Sequence, residues 1–311
     1  MPKRKATTLS LFQLTEQYPT VESAVRYFER VRWNGSPVCT KCDKDEKITA
    51  QKKVGTYWCG SCRAYFTVFT NTPLERNKID ARKWLFAAYL VLTARKGISS
   101  YQLSKELAVQ QRTAWYMLHR IRKACESNDV LLSGIVEIDE TYIGGKEKNK
   151  HEKKKHKSGT GMVGKQAVLG LRQRGGKTLA KPIDGTTRQA LHREIEPHVD
   201  PAAIACTDEY TGYRGLDQMV SHHESVNHTA KEWAKGFVHT NGMESVWAVL
   251  KRGLHGVYHH VSGKHLTQYL HEFTFRLNEG NCEVDTKDRM AALFSAMPGK
   301  PMTYKALTGK S

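Results

Sequence analysis

One stretch decides the fold of this 311-residue chain: Gly134-Ile-Val-Glu-Ile-Asp139-Glu-Thr-Tyr-Ile-Gly-Gly145. Its apolar and polar residues alternate, which predicts a β-strand. Alternation places Ile135, Glu137 and Asp139 on one face of that strand and the intervening residues on the other. Asp139 therefore comes near the end of a strand.

The sequence after this strand predicts a mixed α/β domain over residues 131–280. Its first part is predicted to contain strands, one helix and a further strand, and the final third of the chain is predicted to be mainly helical. The predicted strands are 166–171, 178–183 and 202–207, and the predicted helices are 187–199, 241–252 and 262–278.

Two carboxylates come at the ends of separate predicted strands. Asp208 directly follows the apolar run Ala-Ile-Ala-Cys, as Asp139 follows its own strand. Buried carboxylates are costly unless a cation neutralises them. Oxygen ligands of this kind suit Mg²⁺ first and Mn²⁺ as a substitute. The competing interpretation is that each Asp caps a strand or forms a turn.

A third carboxylate is needed to hold two metal ions for phosphoryl transfer. The helix that begins at Asn241 supplies Glu244, and Asn241 itself, one turn earlier, remains open as the ligand or as its orienting partner. Lys251 lies two turns further on, about 10 Å along the axis. That distance suits a contact with a neighbouring DNA phosphate.

Four of the seven cysteines have metal-ligand spacing. Two Cys-x-x-Cys pairs separated by sixteen residues predict a zinc ribbon over residues 36–72 that binds one structural Zn²⁺. The alternative is a redox pair. The four predicted ligands are Cys39, Cys42, Cys59 and Cys62. Cys125, Cys206 and Cys282 stand alone and are interpreted as buried or inert thiols.

Helices are predicted on both sides of the ribbon. In the N-terminal segment, residues 1–35, an apolar face is expected from Leu11, Phe12, Leu14, Val21, Ala24, Val25 and Phe28. Residues 78–126 predict a helical domain in which a short helix after Ser99 and a basic helix over 110–123 are similar to a helix-turn-helix. DNA recognition and simple packing both remain open for it.

The charge of the chain favours a polyanionic partner. Its net charge is +18 and its pI about 9.6, which suits nucleic acid, although a solubility surplus, ribosomes or anionic lipid would also fit. The basic run 146–157 is either a solvated loop or a clamp on DNA. His255, His259, His260 and His265 suggest phosphate contacts or packing, with a second metal site as the alternative. Without a long apolar stretch or a secretory segment, a cytoplasmic protein is expected and no membrane partner.

Several motifs resemble insertion-sequence transposases with an N-terminal zinc ribbon and an ISXO-type DDE domain. These motifs include Glu-Ile-Asp139-Glu-Thr-Tyr-Ile-Gly-Gly-Lys, Thr-Asp208-Glu-Tyr, Asn241-Gly-Met-Glu244-Ser-Val-Trp and Leu-Lys251-Arg-Gly. In the first zinc knuckle, Thr40 and Asp43 stand where Pro and Gly are common in that group.

The resemblance implies an RNase H-like fold with two catalytic Mg²⁺ ions held by Asp139, Asp208 and Glu244. Lys251 would match the basic residue seven positions after the third acid, and Asn241 is sometimes the third ligand in this group. The expected function is cleavage of double-stranded DNA at terminal inverted repeats and transfer of the 3′ end to target DNA.

A homodimer or larger synaptic complex associated with the nucleoid is also implied. The competing functions are an inactive, transposase-derived DNA-binding protein and a nuclease without strand transfer. Residues 281–311 are expected to form a C-terminal tail.

Overall fold

A computed structural model describes residues 6–126, 130–145, 164–226, 237–279, 283–299 and 301–309. The chain forms two compact units, one built from residues 1–126 and 279–311 and the other from residues 127–278. The predicted basic run 146–157 lies outside the described residues. In the described ranges, the helices are all too short or too polar to span a bilayer.

The first unit contains helices around a small antiparallel sheet of order β1-β2-β3. Its elements in chain order are α1 (Leu11–Gln17), α2 (Val21–Trp33), β1 (Ile48–Ala50), β2 (Thr56–Cys59), β3 (Ala64–Thr67), α3 (Ala81–Thr93), α4 (Ser100–Glu106) and α5 (Gln111–Ala124).

The second unit contains β4 (Ile135–Ile143), β5 (Gln166–Gln173), β6 (Thr178–Ile183), α6 (Arg188–Ile195), β7 (Ile204–Asp208), β8 (His222–Val226), α7 (Asn241–Gly253) and α8 (Gly263–Asn278). The chain then returns to the first unit with α9 (Thr286–Ser295) and α10 (Tyr304–Thr308).

The N-terminal segment is helical, in two pieces, and its expected apolar face is only partly buried. The chain forms two helices there, because Thr20 ends the run after Pro19 and caps α2 by accepting a hydrogen bond from the Ser23 amide. Leu14, Ala24, Val25 and Phe28 are buried, whereas Leu11, Phe12 and Val21 are exposed.

The segment expected to be a C-terminal tail holds two helices of the first unit. Helix α9 buries Met290, Leu293 and Phe294, and the Phe294 ring lies 4.5 Å from that of Phe28 in α2. The guanidinium of Arg289 donates to the Leu92 carbonyl at the end of α3. Burial of these apolar side chains holds the segment in place.

A turn of four residues, 107–110, joins α4 to α5, which is the connection expected of a helix-turn-helix-like pair. Gln111 and Arg112, at the start of α5, are exposed. From Met117 to Arg122 the side chains are buried. The exposed residues of α5 therefore lie in its first turn.

The second unit is a five-stranded mixed sheet of order β6-β5-β4-β7-β8. The neighbours β4, β5 and β6 are antiparallel, while β7 and β8 run parallel to β4. Helix α6 packs on one face through a core that includes Val136 and Ile138. Helices α7 and α8 pack on the other. This α/β sandwich has the expected RNase H-like architecture.

Strand β8 was not predicted from the sequence. Its residues, His-His-Glu-Ser-Val, are mostly polar, and only Val226 is fully buried. It lies at the edge of the sheet beside β7, where one side of a strand needs no partner and polar residues are tolerated. Hydrophobic alternation therefore gives no signal for it.

Candidate active site and zinc site

Asp139 and Asp208 lie side by side on neighbouring strands. The parallel register of β4 and β7 pairs Glu137 with Cys206, so two residues further along each strand Asp139 is level with Asp208. Adjacent strands are about 4.8 Å apart. Asp208 is the last residue of β7, whereas Asp139 is the fifth of the nine residues of β4, so the prediction that Asp139 lies near the end of its strand was wrong. The two carboxylates are nevertheless close enough for the charge of Asp208 to raise the pKa of Asp139.

Helix α7 holds the Asp139 carboxylate in a fixed orientation. Its Oδ2 accepts a hydrogen bond from the indole Nε1 of Trp247 at 2.9 Å, and its Oδ1 accepts one from the Glu140 amide at 2.9 Å. Burial, followed by the charges of Glu140 and Asp208, raises the pKa of Asp139 to about 7. Negative charge is thus crowded at this position, which a bound cation would relieve.

Gly170 makes room for Trp247 over the sheet. This glycine pairs with Asp139 across β4 and β5. A Cβ at Gly170 would come within 2.4 Å of both the Trp247 ring and the Met243 side chain. The absence of a side chain at Gly170 therefore allows α7 to approach the strand closely enough for Trp247 to reach Asp139. Sequence analysis missed this residue.

Glu137 anchors the start of α7. Its carboxylate is 1% exposed and accepts a hydrogen bond from the Met243 amide in the first turn, at 2.8 Å. Arg174 pairs with the same carboxylate at 2.7 Å and donates to the His239 carbonyl, while Arg172 donates to the Gly242 carbonyl. An anion at a helix N-terminus is stabilising.

The Glu137 carboxylate is buried and Arg174 is partly exposed, so loss of Arg174 would leave the Glu137 charge with less compensation. Sequence analysis placed Glu137 on the face of Asp139 but assigned it no role. The signal was available, because an acid on the buried face of a central strand needs a partner.

Helix α7 runs alongside β4 in the same direction. Successive contacts join Glu137 to Met243 and then Asp139 to Trp247. The exposed residues of α7 form one stripe at helical spacing, which contains Asn241, Glu244 and Lys251. Ser245, Ala248 and Arg252 are the other exposed residues of that stripe.

Asp139, Asp208 and Glu244 do not form a group whose ligand atoms all lie within 4.8 Å of one another. In the described part of the chain, the cysteines form the single group of three or more Asp, Glu, His or Cys side chains with all ligand atoms within 4.8 Å. Glu244 and Asn241 are exposed on the α7 stripe. Glu244 lies one turn before Trp247, which reaches Asp139.

Tyr210 and Tyr213, which follow Asp208 in the chain, make hydrogen bonds next to the two aspartates. Asp208 Oδ1 accepts a hydrogen bond from the Tyr210 amide at 3.0 Å, and the Tyr210 hydroxyl donates to the Thr186 carbonyl. Tyr213 donates to the Glu140 carboxylate. Burial, and to a lesser extent the charge of Asp208, raises the pKa of Glu140. These contacts were not predicted from the sequence.

The four ribbon cysteines meet in the first unit, as predicted. Their Sγ atoms lie within 4.8 Å of one another, with 3.6 Å between Cys39 and Cys62 and 3.7 Å between Cys42 and Cys59. The backbone N–H of Cys62 lowers the pKa of Cys59 to about 6. Four thiolates at this spacing fit tetrahedral zinc.

The residue after each knuckle has a left-handed backbone. Asp43 has a φ of 55° and Arg63 a φ of 53°. Glycine adopts this conformation without strain, and Asp is tolerated better than most residues. The unusual Asp43 of the first knuckle is therefore compatible with the turn.

Two family models match the chain. Residues 131–278 match the ISXO2-like transposase domain, and residues 19–65 match the transposase zinc-ribbon domain. The second match begins two residues before α2 and includes the whole helix, whose Trp33 packs against Phe66 and Tyr57 of the ribbon.

The chain is also similar to an uncharacterised protein in the transposable element ISH50 of Halobacterium salinarum. The two are 28% identical over 265 residues, which cover 81% of this chain and 89% of the relative. Among solved structures, the Mos1 mariner paired end complex with Mn overlaps 86% of this chain and 90% of its own, at 14% identity and a TM-score of 0.19. The fold assignment therefore relies on the sheet topology and the family matches.

Proposed function

Because this chain belongs to the ISXO2-like transposases, we propose that it cleaves DNA at the terminal inverted repeats of its element and transfers the 3′ ends to target DNA. The observation that carries the proposal is that Asp139 and Asp208 lie on neighbouring parallel strands. Trp247 of α7 donates a hydrogen bond to Asp139. The third acid, Glu244, lies on the same helix.

Asp139, Asp208 and Glu244 would hold two Mg²⁺ or Mn²⁺ ions. The donor set fits, because hard divalent cations prefer carboxylate oxygens and the crowded charge at Asp139 favours a cation. When bound, such ions activate the attacking oxygen and stabilise the leaving oxygen in phosphoryl transfer.

The side chains of the chain itself would orient this site. Trp247 holds the Asp139 carboxylate in one orientation, and Glu137 fixes the start of α7, so that Glu244 is presented from a rigid helix. Such fixed geometry is a major part of catalysis by positioning. Lys251, two turns beyond Glu244, would bind a DNA phosphate.

Asn241 is the competing third ligand. It occupies the first turn of α7, and its exposure is similar to that of Glu244. Position favours Glu244, since it is the nearer of the two along the helix to Trp247 and hence to Asp139.

The first unit would bind the terminal repeats. The exposed first turn of α5 is where a recognition helix contacts bases, and Arg112 there suits readout of guanine. The zinc ribbon would support this contact or bind a protein. Pairing of two DNA ends requires a homodimer or larger synaptic complex, and a net charge of +18 suits DNA.

The test is cleavage and joining of a labelled element end in Mg²⁺. Asp139→Ala, Asp208→Ala and Glu244→Ala should lose both steps and keep binding, while Asn241→Ala should keep cleavage. Asp184→Ala is the matched control, because this exposed acid lies after β6, outside the proposed site. Cleavage without joining by the wild type would instead indicate a nuclease, and binding without cleavage a DNA-binding remnant.

A further inference from the structure

A cleft of about 890 Å³ opens within the second unit, beyond the carboxyl end of β4. One wall comes from Tyr142 to Gly145 and Lys165, and the other from Lys251 and the segment 254–261. It is large enough to admit a section of a polymer backbone.

The cleft is lined by basic groups. Lys165, Lys251, His255, His259 and His260 all contribute to it, and among the described lining residues there is no carboxylate. Lys251 and the three histidines are exposed. A neutral imidazole offers one N–H donor and a charged one offers two. The Nδ1–H of His259 donates to the His255 carbonyl at 3.1 Å, so the donor that His259 can offer to an anion is the Nε2–H of the charged ring. An anion with several oxygens would find donors on both walls.

The cleft is lined by residues of β4 and α7, the elements that carry Asp139 and Glu244 of the proposed active site. Helix α7 continues directly into one turn of π-helix, Leu254–Tyr258. His255 lies in this turn and extends the exposed stripe of Asn241, Glu244 and Lys251. Lys251 lies about 10 Å from Glu244 along the helix. Gly144 lies five residues beyond Asp139, about 17 Å along the strand.

A strained turn carries the histidines. His259 has a φ of 56° and a ψ of −46°, and the His260 amide donates to the Tyr258 carbonyl at 2.6 Å, so His259 is the centre of a γ-turn of the rare, strained kind. Tyr258 is anchored by its hydroxyl, which donates to Glu272 at 2.9 Å. Strain held in place by such anchors is concentrated at functional sites.

We propose that this cleft binds the phosphodiester backbone of the DNA flanking the scissile phosphate, about three to five nucleotides away. The position follows from the distances of about 10 to 17 Å, since a DNA strand advances about 3.4 Å per nucleotide. The inference rests on the proposed function, because it takes the acids as the point of cleavage. Lys165, His259 and His260 supply the donors that lie outside the catalytic motif.

A metal site is the other use of clustered histidines. The ring nitrogens of the described histidines do not join any group of three or more ligand atoms within 4.8 Å, a finding that covers only the described residues. A groove for a polyanion therefore fits the arrangement better.

The test measures DNA binding by the full-length chain as a function of salt, with a fluorescent duplex carrying the element end. The triple variant Lys165→Gln, His259→Gln, His260→Gln is compared with the wild type and with Lys177→Gln. Lys177 is an exposed lysine in the turn between β5 and β6, at the other end of the sheet. Thermal unfolding of each variant checks that the fold is retained, and Lys165→Gln alone serves if the triple variant does not fold.

The triple variant should bind at least tenfold more weakly, because hydrogen bonds to a charged phosphate are lost. The slope of log affinity against log salt should fall by about 0.9 for each charged contact removed, and Lys177→Gln should match the wild type. Duplexes with one neutral methylphosphonate should lose affinity for the wild type at the third to fifth linkage from the cleavage site. The triple variant should respond less there, because only Lys251 and His255 remain of the basic groups that line the cleft.

An unchanged slope and an unchanged methylphosphonate profile in a folded triple variant would overturn the cleft proposal while leaving the transposase function intact. A wild type that binds the duplex with the expected profile but cleaves none would support the cleft and contradict the proposed catalysis.

Discussion

The indole Nε1 of Trp247 donates a hydrogen bond to the Oδ2 of Asp139 at 2.9 Å. This bond links the helix that carries the third acid of the proposed site to the strand that carries the first. It also leaves only part of the Asp139 carboxylate for a metal ion. The bond therefore sets the direction in which the carboxylate presents its remaining lone pairs.

Trp247→Phe should slow DNA cleavage about ten- to hundredfold, since a hydrogen bond to a charged group contributes about 1.5–3 kcal/mol. DNA binding should stay unchanged, because the Phe ring keeps most of the packing. Single-turnover cleavage of a labelled end measures the effect. Trp84→Phe is the matched control, as it removes an indole bond to Asn77 in the first unit. Equal slowing in both variants would contradict a role specific to Asp139.

Gly170→Ala should displace α7 from the sheet. The new Cβ would meet the Trp247 ring and the Met243 side chain at 2.4 Å, and overpacking of this kind costs about 1–3 kcal/mol. We expect faster hydrogen exchange in α7 and a loss of cleavage. Gly185→Ala is the control, because no atom lies within 4 Å of its added Cβ. Wild-type cleavage by Gly170→Ala would show that the close approach of α7 is not needed.

Glu137→Ala should destabilise the second unit by about 1–3 kcal/mol, because the buried Met243 amide would lose its acceptor and Arg174 would lose its ion-pair partner. Local unfolding should begin at the first turn of α7, where Glu137 accepts a hydrogen bond from the Met243 amide. Hydrogen exchange of the full chain, followed on peptides from α7, measures it. Glu194→Ala, which breaks the more exposed pair with Lys181, should cost about 1 kcal/mol or less. If α7 lost similar protection from hydrogen exchange in both variants, Glu137 would not be the anchor of α7.

Asp43→Gly should strengthen zinc binding by the ribbon. A left-handed backbone costs an L-residue roughly 1–2 kcal/mol, less for Asp, and glycine avoids that cost. Competition with a chelator should show a zinc affinity up to about fivefold higher, which corresponds to about 1 kcal/mol. Asp45→Gly, at a neighbouring position without a positive φ, should give no gain. Weaker zinc binding by Asp43→Gly than by the wild type would contradict the argument.

The position of Asp208 could be predicted from the sequence, because it follows an apolar run that is typical of a strand and it ends β7. The position of Asp139 could be predicted only in part, because β4 continues for four residues beyond it. The four cysteines were clear from their spacing. In contrast, Gly170 and the edge strand β8 carry no periodic signal. Their roles depend on which strands become neighbours.

The same limit applies to the ends of the chain. The exposure of Leu11 and Phe12 and the return of α9 to the first unit depend on partners far away in the sequence. Local apolar patterning identifies a helix but not the surface against which it packs. Glu137 is intermediate, since its buried face was predictable and its Arg174 partner was not.

Substitution of a ligand by cysteine tests most directly the claim that Asp139 and Asp208 bind the catalytic metal ions. A thiolate is a poor ligand for Mg²⁺ and a better one for the softer Mn²⁺. The measurement is cleavage of a labelled element end by Asp208→Cys in each metal, beside Asp184→Cys as the control. The account predicts that Asp208→Cys is inactive in Mg²⁺ and regains cleavage in Mn²⁺, while the control cleaves in both. Cleavage by Asp208→Cys in Mg²⁺ at the wild-type rate would contradict the account.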